Sequence, residues 1–372
     1  MLRRRIPDDG NREQVFSGNR RQFEVRERGG QIVGEKGFSY EAAGVSIERG
    51  EKSVEMMRSA VARTHGSEVI GASGGFAGLY ALAGYEEPVL ATTIDGVGTK
   101  VMVANALGRH ASLGADIVNH CANDVLAAGA RPHIFLDYIA SGRLDPEAVA
   151  ETVRGAAEAC EKLGVALVGG ETAEMPGVYS GGEFDIVGVC VGASERSAVV
   201  DGENVRPGDA IVGLASSGLH TNGYTLARKV VMDAGISYDD SPDGLGSTVG
   251  GAYLAPHRAY VEEISVLRNE VEVRGMAHIT GGGLPGNLPR SLGGCGARLD
   301  VSSWEEPPVF DLIRSLGNIP DDEMRRVFNL GVGFCVVVAE EDFEKAVGIL
   351  SGAGCTAWRI GAVAEEAGVS FE

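Results

Sequence analysis

An apolar run, Pro88-Val-Leu-Ala-Thr-Thr-Ile94, passes directly into Asp95-Gly-Val-Gly-Thr-Lys100. The run reads as a buried strand, and the segment after it as a turn that exposes backbone. Such a junction suits a layered α/β (α+β) protein, and downstream the chain goes on alternating strand-like and helix-like runs. The turn also contains what a phosphate site needs. Gly96 and Gly98 let N–H groups approach an anion, Thr99 adds a hydroxyl, Lys100 a point charge, and Asp95 a ligand for Mg²⁺. An ordinary strand-to-helix turn with a solvated Asp and Lys would have the same residues, and short glycine motifs recur by chance.

The segment from Gly114 to Pro132 adds to this. At about 100° per residue, Ile117, Val118, Cys121, Ala122, Val125 and Leu126 fall on one helix face. Asp116, Asn119, His120, Asn123 and Asp124 fall on the other. A solvated face would normally carry Lys, Arg and Glu. This one carries mediocre helix formers that are good ligands, so the stripe is expected to face a site. A further helix begins at Asp145-Pro146 and stops at Gly164, followed by a short strand, Val165 to Val168. Gly169 and Gly170 then expose backbone beside Glu171 and Glu174. Glu171 is a candidate nucleotide or metal contact, whereas Glu174 reads as an exposed loop carboxylate.

Two more motifs follow a polar turn at Asn204-Val-Arg-Pro-Gly-Asp209. Ser217-Gly-Leu-His220-Thr-Asn222 sets a hydroxyl, an imidazole and an amide after a strand, with His220 and Asn222 as acid/base or orienting groups. Thr280-Gly281-Gly282-Gly283 could cradle a phosphate ahead of a short helix near Asn287 to Leu292. Upstream, Gly71 to Phe76, with Gly74 and Gly75, suits a mobile cover over nucleotide phosphates.

These motifs, together with Tyr40-Glu-Ala-Ala-Gly-Val-Ser-Ile47 and Val168-Gly-Gly-Glu-Thr-Ala-Glu-Met-Pro-Gly177, resemble the aminoimidazole ribonucleotide synthetase family, also called phosphoribosylformylglycinamidine cyclo-ligase. The resemblance runs in order from about Phe38 to the C-terminus. It implies a two-domain protomer, with 38–206 binding ATP and pairing in a homodimer and 207–372 forming a second α/β domain. It also implies a reaction. ATP phosphorylates the formyl amide oxygen of formylglycinamidine ribonucleotide, an amidine nitrogen attacks the activated carbon, and phosphate leaves. On this reading Asp95, Asp116 and Asp124 ligate Mg²⁺ with Asn123 assisting, and Lys100 meets the transferred phosphate. Gly74, Gly75, Gly96, Gly98, Thr99 and Glu171 contact the nucleotide, His220 and Asn222 orient the substrate, and Thr280 to Gly283 take its ribose phosphate. Another ATP-using enzyme of the same superfamily, such as formylglycinamidine synthase, or an inactive binding homologue, is the alternative.

Composition agrees with this reading. The chain has 372 residues, 44% hydrophobic and 6% aromatic, enough for two cores, and 55 glycines for many tight turns. A net charge of −19 argues against a nucleic-acid partner and leaves an anionic substrate to local donors and metal. The six cysteines are scattered through apolar runs without a Cys-x-x-Cys pair, as in a reducing, cytoplasmic compartment. No membrane-length apolar run occurs. Residues 1–37 mix Arg, Gln and Gly with acidic residues and lack apolar periodicity, which predicts a disordered extension.

Overall fold

The apolar run before Asp95 is the edge strand of a four-stranded sheet in the computed structural model, which describes residues 39–71 and 75–372. The expected N-terminal extension and Gly74 lie outside the described residues. The helices of this half are α1 (Ile47–Arg63), α2 (Lys100–Leu107), α3 (Ala111–Ala127) and α4 (Pro146–Leu163). A hairpin of β1 (Val69–Ile70) and β2 (Leu79–Tyr80) precedes β3 (Pro88–Gly96), β4 (Arg131–Ser141), β5 (Ala166–Glu174) and β6 (Phe184–Glu195). The sheet order is β3-β6-β4-β5, with β4 and β5 parallel and the other pairs antiparallel.

The parallel pair needs a crossover, and α4 provides it with ends fixed by sequence. The Asp145 carboxylate accepts from the N–H groups of Glu147 and Ala148, Pro146 occupies the first turn, and Gly164 closes the helix at φ 65°. Helix α4 crosses α3 so closely that a Cβ on Gly114 would lie 1.9 Å from the Thr152 carbonyl and one on Gly155 1.9 Å from that of Ala111. Glycine at both positions is therefore a packing requirement.

The second half is built on six strands: β7 (Ala210–Ala215), β8 (Val273–His278), β9 (Gly296–Leu299), β10 (Val332–Val338), β11 (Ala357–Ala364) and β12 (Gly368–Phe371). Their order is β12-β9-β11-β7-β10-β8, antiparallel except for β12 beside β9. Its helices include α5 (Tyr224–Asp233), α6 (Val249–Tyr253), α7 (Val261–Arg268) and α8 (Gly283–Asn287). The expected helix near Asn287 is α8 followed by a 3₁₀ turn, Leu288–Ser291. Strand β5 also differs from expectation, running on through Gly169 and Gly170 to Glu174.

Helix α3 belongs to both halves. Ile117, Val118, Cys121 and Val125 pack in the core of the four-stranded sheet, while Ala122 and Leu126 join Tyr260, Ile264 and Leu267 of the second half. Its polar stripe is thereby enclosed, and what it encloses is the site. Among the described residues no helix covers the opposite face of the four-stranded sheet. Leu90 and Ile94 stand there 61% and 67% exposed, in register with Ala193 and Val189.

Candidate active site

Five segments meet along α3: the β3–α2 turn, the polar face of α3, the loop entering α5, the Ala255–Tyr260 loop, and the end of β8. Asp95, the penultimate residue of β3, keeps a side chain 44% exposed. One of its oxygens accepts from the Gly96 N–H at 2.7 Å, and the other lies 2.9 Å from His120 Nε2. Asp124 accepts from Thr93 Oγ1 at 3.1 Å and from His278 Nδ1 at 2.8 Å. Burial alone would raise both carboxyls. Contact with His120 and Gly96 for Asp95, and with His278, His120 and Thr93 for Asp124, holds each below the usual carboxylate range. Burial would likewise lower His120, but Asp95 and Asp124 keep it raised. Two ionised, partly exposed carboxylates are hard oxygen donors, which fits a Mg²⁺ site.

Asp116 does not fit that role. Both it and Lys100 are 0% exposed and pair at 2.8 Å. Its other oxygen accepts from the His257 N–H at 2.7 Å, and Lys100 Nζ also donates to the carbonyls of His220 at 3.0 Å and Ala255 at 2.9 Å. Two ammonium hydrogens thus go to carbonyls and the charge is met by Asp116, with the side chain fully enclosed and turned away from a transferred phosphate. Burial pushes Lys100 down and Asp116 up, and each partner's charge opposes that.

Asn123 is also committed. Its Nδ2 donates to the Arg258 carbonyl at 2.8 Å, and its Oδ1 accepts from the Tyr260 N–H at 3.0 Å. Asn119 Nδ2 donates to the His257 carbonyl at 2.7 Å. Much of the stripe expected to face a ligand instead clasps the Ala255–Tyr260 loop, because α3 is covered by the second half. His220 is likewise 1% exposed, held at φ 60°, and stacked on His257 with ring centroids 4.0 Å apart. Its Nε2 accepts from the Ser217 N–H at 3.2 Å, so the imidazole expected to meet substrate is enclosed. Burial drives His220 and His257 well below their ordinary value.

Other expected residues do converge. Thr99 Oγ1 lies 3.0 Å from Thr225 Oγ1, which joins the turn before α2 to the first turn of α5. Gly98, at φ 56°, has open space where a Cβ would point. A Cβ on Gly281 would sit 3.3 Å from Asn222 Oδ1, so Asn222 and the Thr280–Gly283 turn are neighbours. Asn287 Nδ2 braces that turn through the carbonyls of Thr280, Gly281 and Gly283. Beside Asp124 a groove of about 290 Å³ opens between β3 and α3, lined by Val89, Ala91, Thr93, Val125 and Val199. Glu171 is exposed on β5, three strands from β3 and so roughly 14 Å away, at the opposite sheet edge. Gly75 is exposed in the segment before β2.

Sequence reasoning missed His257 and His278 as a group with His120 and His220. Four of the chain's seven histidines form one buried cluster, with neighbouring centroids 4.0 to 5.2 Å apart. Each sits in a different motif, and only the fold brings them together.

Residues 76–194 match the family model described as AIR synthase related protein, N-terminal domain, and residues 206–372 match the one for its C-terminal domain. Among solved structures, thiamine-monophosphate kinase from Stenotrophomonas maltophilia K279a gives a TM-score of 0.66 over 86% of this chain and 96% of that one, at 16% identity. Hydrogenase maturation protein HypE in complex with ATP gives 0.60 over 85% and 86%, at 18% identity. These likenesses show the fold, and the family models define the class: an ATP-using enzyme of the AIR synthase type. The relatives narrow it. The phosphoribosylformylglycinamidine cyclo-ligase of Myxococcus xanthus (strain DK1622) is 51% identical over 88% of this chain and 96% of its own length, and that of Gloeobacter violaceus (strain ATCC 29082 / PCC 7421) 47% identical over 90% and 100%. The chain belongs to the phosphoribosylformylglycinamidine cyclo-ligase family. It is accordingly a ligase of purine biosynthesis that uses ATP to close the imidazole ring of aminoimidazole ribonucleotide.

Proposed function

We propose that this chain performs the ring closure with nucleotide phosphates along Asp95, Gly96, Gly98 and Thr99, and with formylglycinamidine ribonucleotide against Asn222 and Thr280 to Gly283. One observation carries the reading. His278 bonds Asp124, and two residues later, within about 7 Å of chain, the backbone enters the Thr280–Gly283 turn. A carboxylate pair suited to a metal-bound nucleotide thus adjoins a glycine turn suited to a second phosphate, as transfer between two phosphorylated ligands requires.

Asp95 and Asp124 would hold Mg²⁺, which when bound neutralises charge on the phosphate oxygens during transfer. The Gly98 and Thr99 N–H groups at the start of α2 would orient those oxygens, and the groove beside Asp124 would receive the nucleoside. Asn222 would fix the formylglycinamidine portion. Lys100, Asp116, Asn123 and His220 act behind these groups, locking the Ala255–Tyr260 loop and the entry to α5 onto α3. Glu171, at the opposite sheet edge, is given no nucleotide contact in its own chain on this reading.

The uncovered sheet face supports a homodimer. Leu90, Thr92 and Ile94 on β3, with Val187, Val189 and Val191 on β6, form an apolar surface that a second copy would bury. Leu90→Glu with Ile94→Lys should convert a dimer to monomer in sedimentation; a wild type that sediments as monomer would refute the pairing. Among the described residues no helix is long and apolar enough to cross a membrane. All six cysteines are unpaired, which suits the cytoplasm.

The test of the reaction is purified protein with formylglycinamidine ribonucleotide and Mg-ATP. One ADP should appear per aminoimidazole formed, with ¹⁸O passing from the formyl group into phosphate. Label retained in the organic product would overturn the assignment.

A further inference from the structure

The turn from Thr280 to Gly283 is held from behind by one side chain. Asn287, 3% exposed, aims its Nδ2 at the carbonyl of Gly283 at 2.9 Å and at those of Thr280 and Gly281 at 3.3 Å each. Its Oδ1 accepts from the Thr280 hydroxyl at 3.3 Å. Carbonyl oxygens only accept, so the amide has a single orientation, with its nitrogen toward the three of them.

That orientation decides where the backbone donors of the turn go. In a planar trans peptide the C=O and the N–H point in opposite directions. With the Thr280 and Gly281 carbonyls drawn inward onto Asn287, the N–H groups of Gly281 and Gly282 point away from it. Neither has an acceptor among the described residues, whereas the Gly283 N–H is spent on the Thr280 carbonyl at 3.0 Å. Gly281 is exposed and borders Asn222, so the outward pair belongs to the open side of the turn. Asn329 shows the contrast. Its Nδ2 donates to the Gly218 carbonyl at 2.8 Å, but its Oδ1 accepts from the Gly331 N–H at 2.9 Å, so that brace uses up a backbone donor. The brace at Asn287 uses none.

We propose that Asn287 is a positioning residue for the substrate's phosphate: by drawing the carbonyls inward it presents the Gly281 and Gly282 N–H groups as a donor pair to a phosphate monoester. This rests on the reading that the turn receives the ribose phosphate. Asn287 itself touches no ligand, so its loss is felt by a ligand that carries the phosphate and not by the same ligand without it.

The test is equilibrium titration of three ligands: formylglycinamidine ribonucleotide, the riboside that lacks its phosphate, and Mg-ADP. Asn287→Asp keeps the size of the side chain but sets a second acceptor against the carbonyls, which turn outward. Ribonucleotide affinity should fall on the order of thirtyfold, as two hydrogen bonds to a charged group are lost, while the riboside and Mg-ADP affinities change by less than about threefold. Ribonucleotide and riboside weakened equally, or neither weakened, overturns the proposal. Gly282→Ala disturbs the same turn from a position at φ 101°, without touching Asn287. If it lowers the preference for ribonucleotide over riboside and Asn287→Asp does not, the proposal fails and the phosphate reading stands; if neither lowers it, both fail. Should Asn287→Asp not bind Mg-ADP, Asn287→Ser, which shortens the side chain without adding charge, takes its place under the same criteria. Loss of Mg-ADP binding there as well makes Asn287 a residue of the fold and overturns the proposal.

Discussion

Asp116 and Asp124 lie two turns apart on the same face of α3, and they have opposite surroundings. Asp116 is sealed, with Lys100 on one oxygen and the His257 N–H on the other. The Asp124 side chain is 28% exposed and is oriented by Thr93 and His278 beside the open carboxylate of Asp95. Residue type is the same for both, and their phases on the helix differ by only about 80°. The difference is what the second half of the chain lays over each end: a loop at one, the rim of a cleft at the other. A polar stripe can therefore be part scaffold and part site. The sealed end holds the covering loop in register so that the open end has a fixed geometry.

The sharpest way to break this comparison is at the open end. Asp95→Asn keeps the shape and an acceptor beside His120 at a half-exposed position, so turnover should fall by about 10³-fold or more while the melting temperature falls by only a few degrees. Steady-state kinetics beside a thermal melt decides it. Activity within a few-fold of wild type would take Asp95 out of the site.

At the sealed end the signs reverse. Lys100→Met leaves Asp116 buried without its counter-charge and strips a donor from two carbonyls, a loss of about 3–5 kcal/mol in denaturant unfolding. Adding Asp116→Asn removes the orphaned charge yet keeps an acceptor for the His257 N–H, so the double variant should recover a large part of that loss. A Lys100→Met protein of full stability but no phosphoryl transfer would restore Lys100 to the transferred phosphate.

Glu174 extends the sealed class to another element. The sequence suggested a solvated loop carboxylate, but its side chain is 1% exposed. It accepts from Ser46 N, Leu144 N and Arg49, tying the start of α1 to the loop before α4. Burial would raise this carboxyl, and those donors hold it below its ordinary value. A depressed carboxyl stabilises fully above its unfolded value, about 4.3, and the contribution is lost as pH falls through the lower folded value. Glu174→Gln should thus cost about 1–3 kcal/mol at pH 7, and the gap from wild type should close on acidification below about pH 4. A gap independent of pH would mean that packing, not charge, holds the junction.

The legible parts of the molecule were local. Strand β3, the Asp145 cap, the Gly164 stop and the apolar face of α3 follow from periodicity and backbone preference, which act within a few residues. Asp95, Gly98, Thr99 and the Thr280–Gly283 turn were readable because their residue types imply exposed backbone or charge. The destinations of Lys100, Asp116, Asn123 and His220 were not. Lys100, Asp116 and Asn123 close on partners more than a hundred residues away in the chain and His220 on His257 in another motif, and a polar side chain that finds such a partner looks in sequence like one that awaits a ligand. The histidine cluster was hidden for the same reason.

The smallest expected effect is at Glu171, where motif and geometry diverge most. Its neighbours Gly169 and Gly170 suggested exposed backbone at a strand end, a natural place for a nucleotide contact. Strand β5 instead continues through them, pairing Gly170 with Asp137 and Glu171 with Tyr138. Across the sheet Tyr138 lies opposite Val187, which pairs with Gly96, so Glu171 shares the face of Gly96 and not that of Asp95. Three strand spacings of about 4.8 Å separate the two edges, well beyond what a glutamate can reach. Within one chain Glu171→Gln should therefore change kcat and KM by less than about threefold and leave stability within about 0.5 kcal/mol, as for an exposed surface residue. A loss of a hundredfold would mean that the uncovered sheet face brings this carboxylate to the cleft of a second copy, so that the open end of α3 is completed between chains rather than within one.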